Sequence, residues 1–162
     1  MVEKKLNDLF YDTLKDIYFA ERQILKSLPK MAKAAKSAEL RQAFLTHRDE
    51  TEVHVERLQQ VFEIAGKRAQ GKTCEAIKGI LEEGEEVMEE YSGSEALDAG
   101  LLAGGQAVEH YEMSRYGTLK TWATQLGMKD AASLFDQTLQ EEKKTDALLS
   151  KLAQAGVNTK AA

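Results

Sequence analysis

The sequence predicts an all-α protein in which four long helices form a bundle and an additional shorter helix crosses over between them. Apolar residues recur at spacings of three and four along most of the chain, as they do on one face of a helix. Only one of the 162 residues is proline, and turn-forming residues gather at a few points. No segment shows the alternation typical of a strand. We therefore expect one helical domain over residues 1–162, with a short flexible tail at about 157–162.

The first predicted helix has an acid inside its apolar stripe. Glu21 follows the three-and-four spacing of its apolar neighbours, so it should share their face of the helix. Pro29 is expected to end or kink this helix, because proline lacks the amide donor and clashes with the preceding turn. The stripe consists of Leu6, Phe10, Leu14, Ile17, Glu21, Ile24 and Leu28.

The second predicted helix begins after Ser37, whose hydroxyl can cap it, and its stripe becomes polar in the middle. Glu50 lies one helical turn before His54, so the two side chains can converge on one point. His47 is open to two interpretations, a residue that orients a metal ligand or a hydrogen-bonded core histidine. The stripe consists of Leu40, Phe44, His47, Thr51, His54, Leu58 and Val61.

A shorter helix follows a basic loop between Gly66 and Gly71, and Thr73 is its predicted cap. Its apolar positions are Ile77, Leu81, Val87 and Met88. The acidic run EEGEEVMEEY within it is typical of a solvated face. We interpret this helix as a crossover element that covers the bundle.

The next long helix carries adjacent glycines, Gly104 and Gly105, in its body. Each costs about 1 kcal/mol against alanine in a helix, and close approach of a neighbouring helix would compensate for it. Glu109 and Glu112, one turn apart, border the apolar stripe of this helix. That stripe consists of Leu97, Leu101, Val108, Tyr111, Leu119 and Trp122.

The last long helix should be separated from the previous one by Gly127, which fits a C-terminal cap. Asp130 is the predicted N-terminal cap. This helix again has an acid, Glu142, within its stripe of Leu134, Thr138, Glu142, Thr145, Leu149 and Leu152.

Acids thus recur near the midpoint of all four long helices. An unpaired carboxylate in a helical core costs several kcal/mol, so the recurrence suggests a shared cation; the alternative is that each acid flanks its stripe and is solvated. Antiparallel packing would bring the midpoints to one level, as in ferritin-like carboxylate bundles that hold two metal ions. The candidate metal ligands are Glu21, Glu50, His54, Glu109, Glu112, Glu142 and Asp146.

The pattern departs from the usual di-iron arrangement, in which two of the helices carry a histidine three residues after a glutamate. Here Val53 and Thr145 occupy those positions, and His54 and Asp146 lie one residue further along. Either the latter two replace the histidines by a slight turn of the helix, or the site is richer in oxygen ligands, or it has lost a metal. Oxygen-rich coordination favours iron, manganese, magnesium or calcium over a closed zinc site.

Four segments resemble the YciE/YciF family of ferritin-like bacterial stress proteins. They are DTLKDIYFAERQ around Glu21, AFLTHRDETEVHVERL around Glu50, QAVEHYEMSRYGTL around Glu109 and TLQEEKKTDALL around Glu142. The resemblance implies a ferritin-like bundle of five helices, a homodimer and an association with bacterial stress responses.

Charge and cysteine content narrow the possible partners and location. A formal net charge of -5 and a pI near 5.3 argue against nucleic acid or an anionic membrane as the partner. The single cysteine, Cys74, excludes an intrachain disulfide, and MVEKKLNDLF lacks the apolar run of a signal peptide. No apolar stretch approaches the length of a membrane span. We expect a cytoplasmic protein that binds neither nucleic acid nor membrane.

Two functions from different classes fit the sequence. The first is a metal-binding protein with two ions, iron in preference to manganese or others, that acts in a stress response through oxidase- or peroxidase-type chemistry with oxygen or peroxide. The second is a structural or interaction protein of the same fold, whose acid cluster is vestigial or holds one structural ion and catalyses nothing.

Overall fold

The protein is described by a computed structural model that covers residues 2–162 and is helical throughout, with no strand in that range. The predicted all-α class is thereby confirmed. The five long or medium helices are α1 Leu6–Ala34, α2 Ala38–Ile64, α3 Glu75–Glu90, α4 Leu97–Gln125 and α5 Lys129–Leu152. A π-helical turn, Ala153–Val157, and a single turn α6, Asn158–Ala161, follow α5. None of the helices in the described range is long and apolar enough to cross a bilayer.

The four long helices pack as two pairs, α1 on α2 and α4 on α5, and the pairs contact each other through α1 with α4 and α2 with α5. The connection from α2 to α4 is long and contains α3, which lies against α4 and α1 on the outside of the bundle. One long crossover in a four-helix bundle is the arrangement of ferritin-like folds. The predicted crossover helix therefore covers one side of the bundle.

Two of the predicted helix boundaries hold and three do not. The Ser37 hydroxyl accepts the amide of Leu40 at 3.2 Å, as expected of a cap. Pro29 does not end α1; it is exposed, and burial of residues on both sides of it keeps the helix continuous to Ala34.

The other two errors concern the helix caps. The Cys74 sulfur, and not Thr73, caps α3 by accepting the amide of Ile77 in its first turn. Asp130 lies inside the first turn of α5, where its charge meets the helix dipole without capping it. The end of α4 is as predicted, since Gly127 follows it with φ of +78°.

Only one of the paired glycines in α4 is explained by close packing. A Cβ atom at Gly105 would lie 3.2 Å from the Phe44 ring and 3.3 Å from a Leu149 methyl group. A Cβ atom at Gly104 would have no neighbour within 4 Å. The region predicted as a flexible tail is helical over 158–161, and Val157 is buried before it.

Candidate metal centre

Six ligand-type side chains from four helices meet in the middle of the bundle, and all six are buried. α1 contributes one glutamate, α2 two histidines, α4 two glutamates and α5 one glutamate. At most 3% of any of these residues is exposed: Glu21, His47, His54, Glu109, Glu112 and Glu142. Burial of four carboxylates together is costly unless cations or protons neutralise them.

The six side chains form two groups that share two members. The His54 group consists of Glu21, His54, Glu112 and Glu142, and the His47 group consists of His47, Glu109, Glu112 and Glu142. Within each group, one ligand atom per residue lies within 4.8 Å of all the others. Glu112 and Glu142 belong to both, so each can bridge two ions. Each group is thus able to hold one ion with one histidine, one glutamate of its own and two shared glutamates.

Contacts inside the groups are short, yet several lack the angles of a hydrogen bond. The Nδ1 atom of His54 is 2.9 Å from a Glu142 oxygen, and the Nε2 atom of His47 is 2.8 Å from a Glu109 oxygen. Neither nitrogen has a hydrogen-bond partner, and the same holds for both oxygens of Glu112 and Glu142. Neighbouring ligand atoms around an octahedral ion with bonds near 2.1 Å are about 3 Å apart. The spacing therefore fits atoms that point at a common ion.

His54 is oriented from outside its group by an acid and an arginine. Its Nε2 atom is 2.8 Å from Glu141, and Arg57 binds both oxygens of that carboxylate. The Arg57 guanidinium, and after it the His54 contact, lower the pKa of Glu141 against the effect of burial. Because this carboxylate can only accept, His54 donates through Nε2, and in the neutral ring Nδ1 is left with a lone pair facing the group.

Two of the sequence-predicted ligands lie outside both groups. Glu50 faces the outer nitrogen of His47 at 3.7 Å and accepts a hydrogen bond from Thr145 at 3.4 Å. Asp146 is 3.1 Å from Nε2 of the exposed His110, on the outer side of α4 and α5. The other five predicted ligands, Glu21, His54, Glu109, Glu112 and Glu142, are brought together.

Two residues of the centre and its surroundings, His47 and Tyr116, were not among the predicted ligands. His47 belongs to a ligand group, although the sequence left open an orienting or core role. Its signal was its spacing of seven from His54, which places both rings on one face of α2. The Tyr116 hydroxyl donates to Glu21 at 2.5 Å from a fully buried ring. No feature of the sequence separated Tyr116 from an ordinary core tyrosine.

Burial and mutual repulsion of the four carboxylates shift the pKa values of the centre. Burial first, and then the charge of Glu112, raise the pKa of Glu21 and of Glu142 well above the ordinary 4.5. Burial alone would lower the pKa of His47, but Glu109, Glu112 and Glu50 together raise it well above 6.5. Without a cation the centre therefore retains protons that exposed groups would release.

The ligand inventory matches that of di-iron carboxylate bundles, but its distribution over the helices differs. In the general pattern, two helices each contribute a Glu-x-x-His pair. Here both histidines come from α2, and α4 contributes two glutamates at a spacing of three, Glu109 and Glu112. Val53 and Thr145 therefore mark no loss of ligands, because the total of four carboxylates and two imidazoles is unchanged.

Fold and centre together define a ferritin-like bundle with buried carboxylate and histidine groups. Residues 5–162 match a family described as a domain of unknown function, DUF892, and the chain belongs to that family. It is 44% identical to protein YciF of Escherichia coli strain K12 over 159 residues, which are 98% of this chain and 96% of YciF. The resemblance expected from the four sequence segments is thereby confirmed.

Solved structures agree with this assignment. The crystal structure of the E. coli stress protein YciF has a TM-score of 0.91 and 43% identity, with 96% of this chain and 99% of that chain covered. The structure of YcfI from Rhodopseudomonas palustris has a TM-score of 0.88 and 42% identity, with 91% and 94% covered. Both similarities extend over nearly the whole bundle.

Proposed function

We propose that the protein binds two iron ions in the His54 and His47 groups and reacts with oxygen or peroxide as part of a bacterial stress response. The observation that carries this proposal is the sharing of Glu112 and Glu142 between two groups of converging, unpartnered ligand atoms. A single structural ion would need only one such group. Four buried carboxylates balance the charge of two divalent cations.

The donor set supports iron and manganese ahead of the other candidate metals. Carboxylates alone suit magnesium, calcium and manganese, whereas imidazole nitrogens suit iron, zinc, copper and nickel. Iron and manganese accept the mixture of one imidazole and three carboxylates that each group offers. Closed zinc sites with thiolates are not possible here, because the only cysteine, Cys74, hydrogen-bonds Tyr111 away from the two groups.

The chain's own residues would hold, orient and shield the reacting centre. Two ferrous ions would supply two electrons, which with two protons reduce dioxygen to hydrogen peroxide or peroxide to two waters. Glu141 and Arg57 hold the His54 ring in one tautomer, and the Tyr116 hydroxyl keeps one oxygen of Glu21 engaged. The buried bundle interior excludes bulk water from all six ligands.

The stress role rests on the relatives. The homodimer, which the family resemblance implies, and the cytoplasmic location, which the sequence predicts, belong to the same proposal. E. coli YciF is described as a stress protein. The description of YcfI from R. palustris proposes a structural role, which favours the second candidate function, a bundle whose acid cluster is metal-free or holds one ion.

Metal analysis separates the two functions. The protein is stripped with chelator, reconstituted anaerobically with ferrous iron and dialysed, and iron per chain is measured before exposure to air or peroxide. We expect two irons per chain and, after oxidation, absorption typical of oxo-bridged ferric ions. Absence of bound iron, or a single ion without any response to oxidants, would support the structural alternative.

A further inference from the structure

Two small cavities lie end to end between the crossover helix α3 and the centre. The inner cavity is lined by His47 and Glu109, and the outer cavity reaches Glu85 on α3. Their volumes are about 10 and 20 Å³, which is about the space that one water molecule needs in each. Both cavities are bounded by Ser27, Met31, Leu81 and Val108. The two cavities therefore adjoin, and we call the pair, with these shared side chains between them, the path.

The walls of this path are almost entirely apolar. Apart from the two ligands, Ser27 and Thr145 are the polar side chains along the inner cavity. The outer cavity adds Lys30 and Glu85, which pair at 3.3 Å across α1 and α3. A hydrated cation or peroxide would lose hydrogen bonds to water on entering such a path. Dioxygen has none to lose.

Gly104 is a further indication that the cavities have a function, in addition to their apolar walls. It lies inside α4, where glycine costs about 1 kcal/mol against alanine, and no neighbour requires the absence of its Cβ atom. Gly84 of α3 is equally uncrowded, and both glycines line the outer cavity. A larger side chain at either position would enter the path.

Helix α3, which covers the path, buries few of its side chains. Of the 16 residues of α3, Ile77 is the one that is fully buried. Leu81, at the junction of the two cavities, is only partly buried. Elements with few buried contacts open at low free-energy cost, so Leu81 is placed to move aside.

We propose that dioxygen, and not peroxide, is the substrate of the centre, and that it reaches the His47 group through these two cavities. This inference rests on the proposed function, since it needs metal ions that react with an oxidant. It adds the identity of the oxidant and its route under α3.

Xenon tests the route in the metal-free chain, because it binds dry apolar cavities in proteins. Crystals or solutions of the full chain are pressurised with xenon, and bound xenon is located by anomalous scattering or by NMR shifts. We expect xenon in the path of the unchanged protein and its loss in Gly104→Leu. Gly117→Leu is the matched control, since Gly117 is also a partly buried, uncrowded glycine of α4 but lines neither cavity. An unchanged protein without xenon in either cavity would overturn the route.

Kinetics of iron-loaded protein test the oxidant. Oxidation of the ferrous protein by oxygen and by peroxide is followed by stopped-flow absorption. We expect Gly104→Leu to slow the oxygen reaction several-fold, Leu81→Ala to accelerate it, and Gly117→Leu to leave it unchanged. The peroxide reaction should be slow in all four proteins. Normal iron content with an oxygen rate unaffected by Gly104→Leu overturns the route alone; a chain that binds no iron overturns the proposed function and the route with it.

Discussion

His47 and His54 lie two turns apart on α2, with ring centroids 6.2 Å apart, and each presents one nitrogen to a different ligand group. The outer nitrogen of each ring faces an acid, Glu50 at 3.7 Å for His47 and Glu141 at 2.8 Å for His54. One helix face thus supplies one imidazole to each of two adjacent ion positions. The two positions should therefore be separable by mutation.

Replacement of either histidine by alanine should remove one ion and leave the other. His54→Ala leaves the His47 group complete, and His47→Ala leaves the His54 group complete. We expect iron content to fall from two to one per chain in each variant, as measured by elemental analysis after reconstitution and dialysis. His110→Ala is the control, because His110 is exposed and belongs to neither group. Retention of two ions in both ligand variants would contradict the assignment.

The pair of Glu141 and Arg57 should tune the affinity of the His54 group without contributing ligands. Arg57→Ala releases the carboxylate that fixes the His54 ring, and loss of such an outer partner typically weakens metal binding by about 10- to 100-fold. Competition with a chromophoric chelator measures the change. Arg48→Ala is the matched control, since Arg48 pairs with the exposed Asp49 and with no other acid in the described range 2–162. Equal affinity in Arg57→Ala and the unchanged protein would refute an orienting role.

The sequence predicted the helices and the position of the metal centre halfway along the bundle, because apolar periodicity and mid-helix acids are local signals. Five of the seven predicted ligands meet in the bundle. Glu50 does not, since a step of about 100° per residue places it about 60° from His47 around α2. At that angle it faces the second nitrogen of the histidine, and 28% of its side chain is exposed. Spacing along one helix identifies a stripe but not which edge faces the partner helices.

Other errors arose where tertiary packing decides. The burial of Leu28, Met31 and Ala32 carries α1 past Pro29, which the local rule for proline cannot anticipate. Tyr116 reaches Glu21 across the bundle, from α4 to α1. Such contacts depend on the register between helices, which a single sequence does not reveal.

Metal-free protein should become less stable as the pH rises above 5. The pKa values of Glu21 and Glu142 are raised above 4.5, chiefly by burial, and that of His47 is raised above 6.5. The folded state then binds more protons than the unfolded chain, so the free energy of unfolding falls with increasing pH. The pKa values of Glu50 and Glu141 are lowered, by His47 and Arg57 first, and add stability that is lost only as the pH falls below 4.5.

Melting temperatures between pH 5 and 8 test this sign. With chelator present, we expect the melting temperature to fall across the range. With saturating iron under anaerobic conditions it should rise, because ions bind deprotonated carboxylates and neutral imidazoles. If the melting temperature of the metal-free protein, measured with chelator, rose from pH 5 to pH 8, the buried acids would not be retaining protons in the folded state.

Neutralising a shared ligand should stabilise the metal-free protein while abolishing metal binding. Glu142→Gln removes a buried acid that, without metal, must either retain a proton or carry a like charge beside Glu112, and it adds amide donors for the orphaned oxygens around it. A gain of about 1 kcal/mol would raise the melting temperature by about 2–4 °C at this chain length. Because Glu142 belongs to both groups, we expect the same variant to lose both ions.

Glu50→Gln is the control, since Glu50 is partly exposed and belongs to neither group. It should retain two ions and show no such stabilisation. If Glu142→Gln still bound two ions, or if its metal-free form melted lower than the unchanged protein, the shared carboxylate would be a structural element of the core and not a bridging ligand.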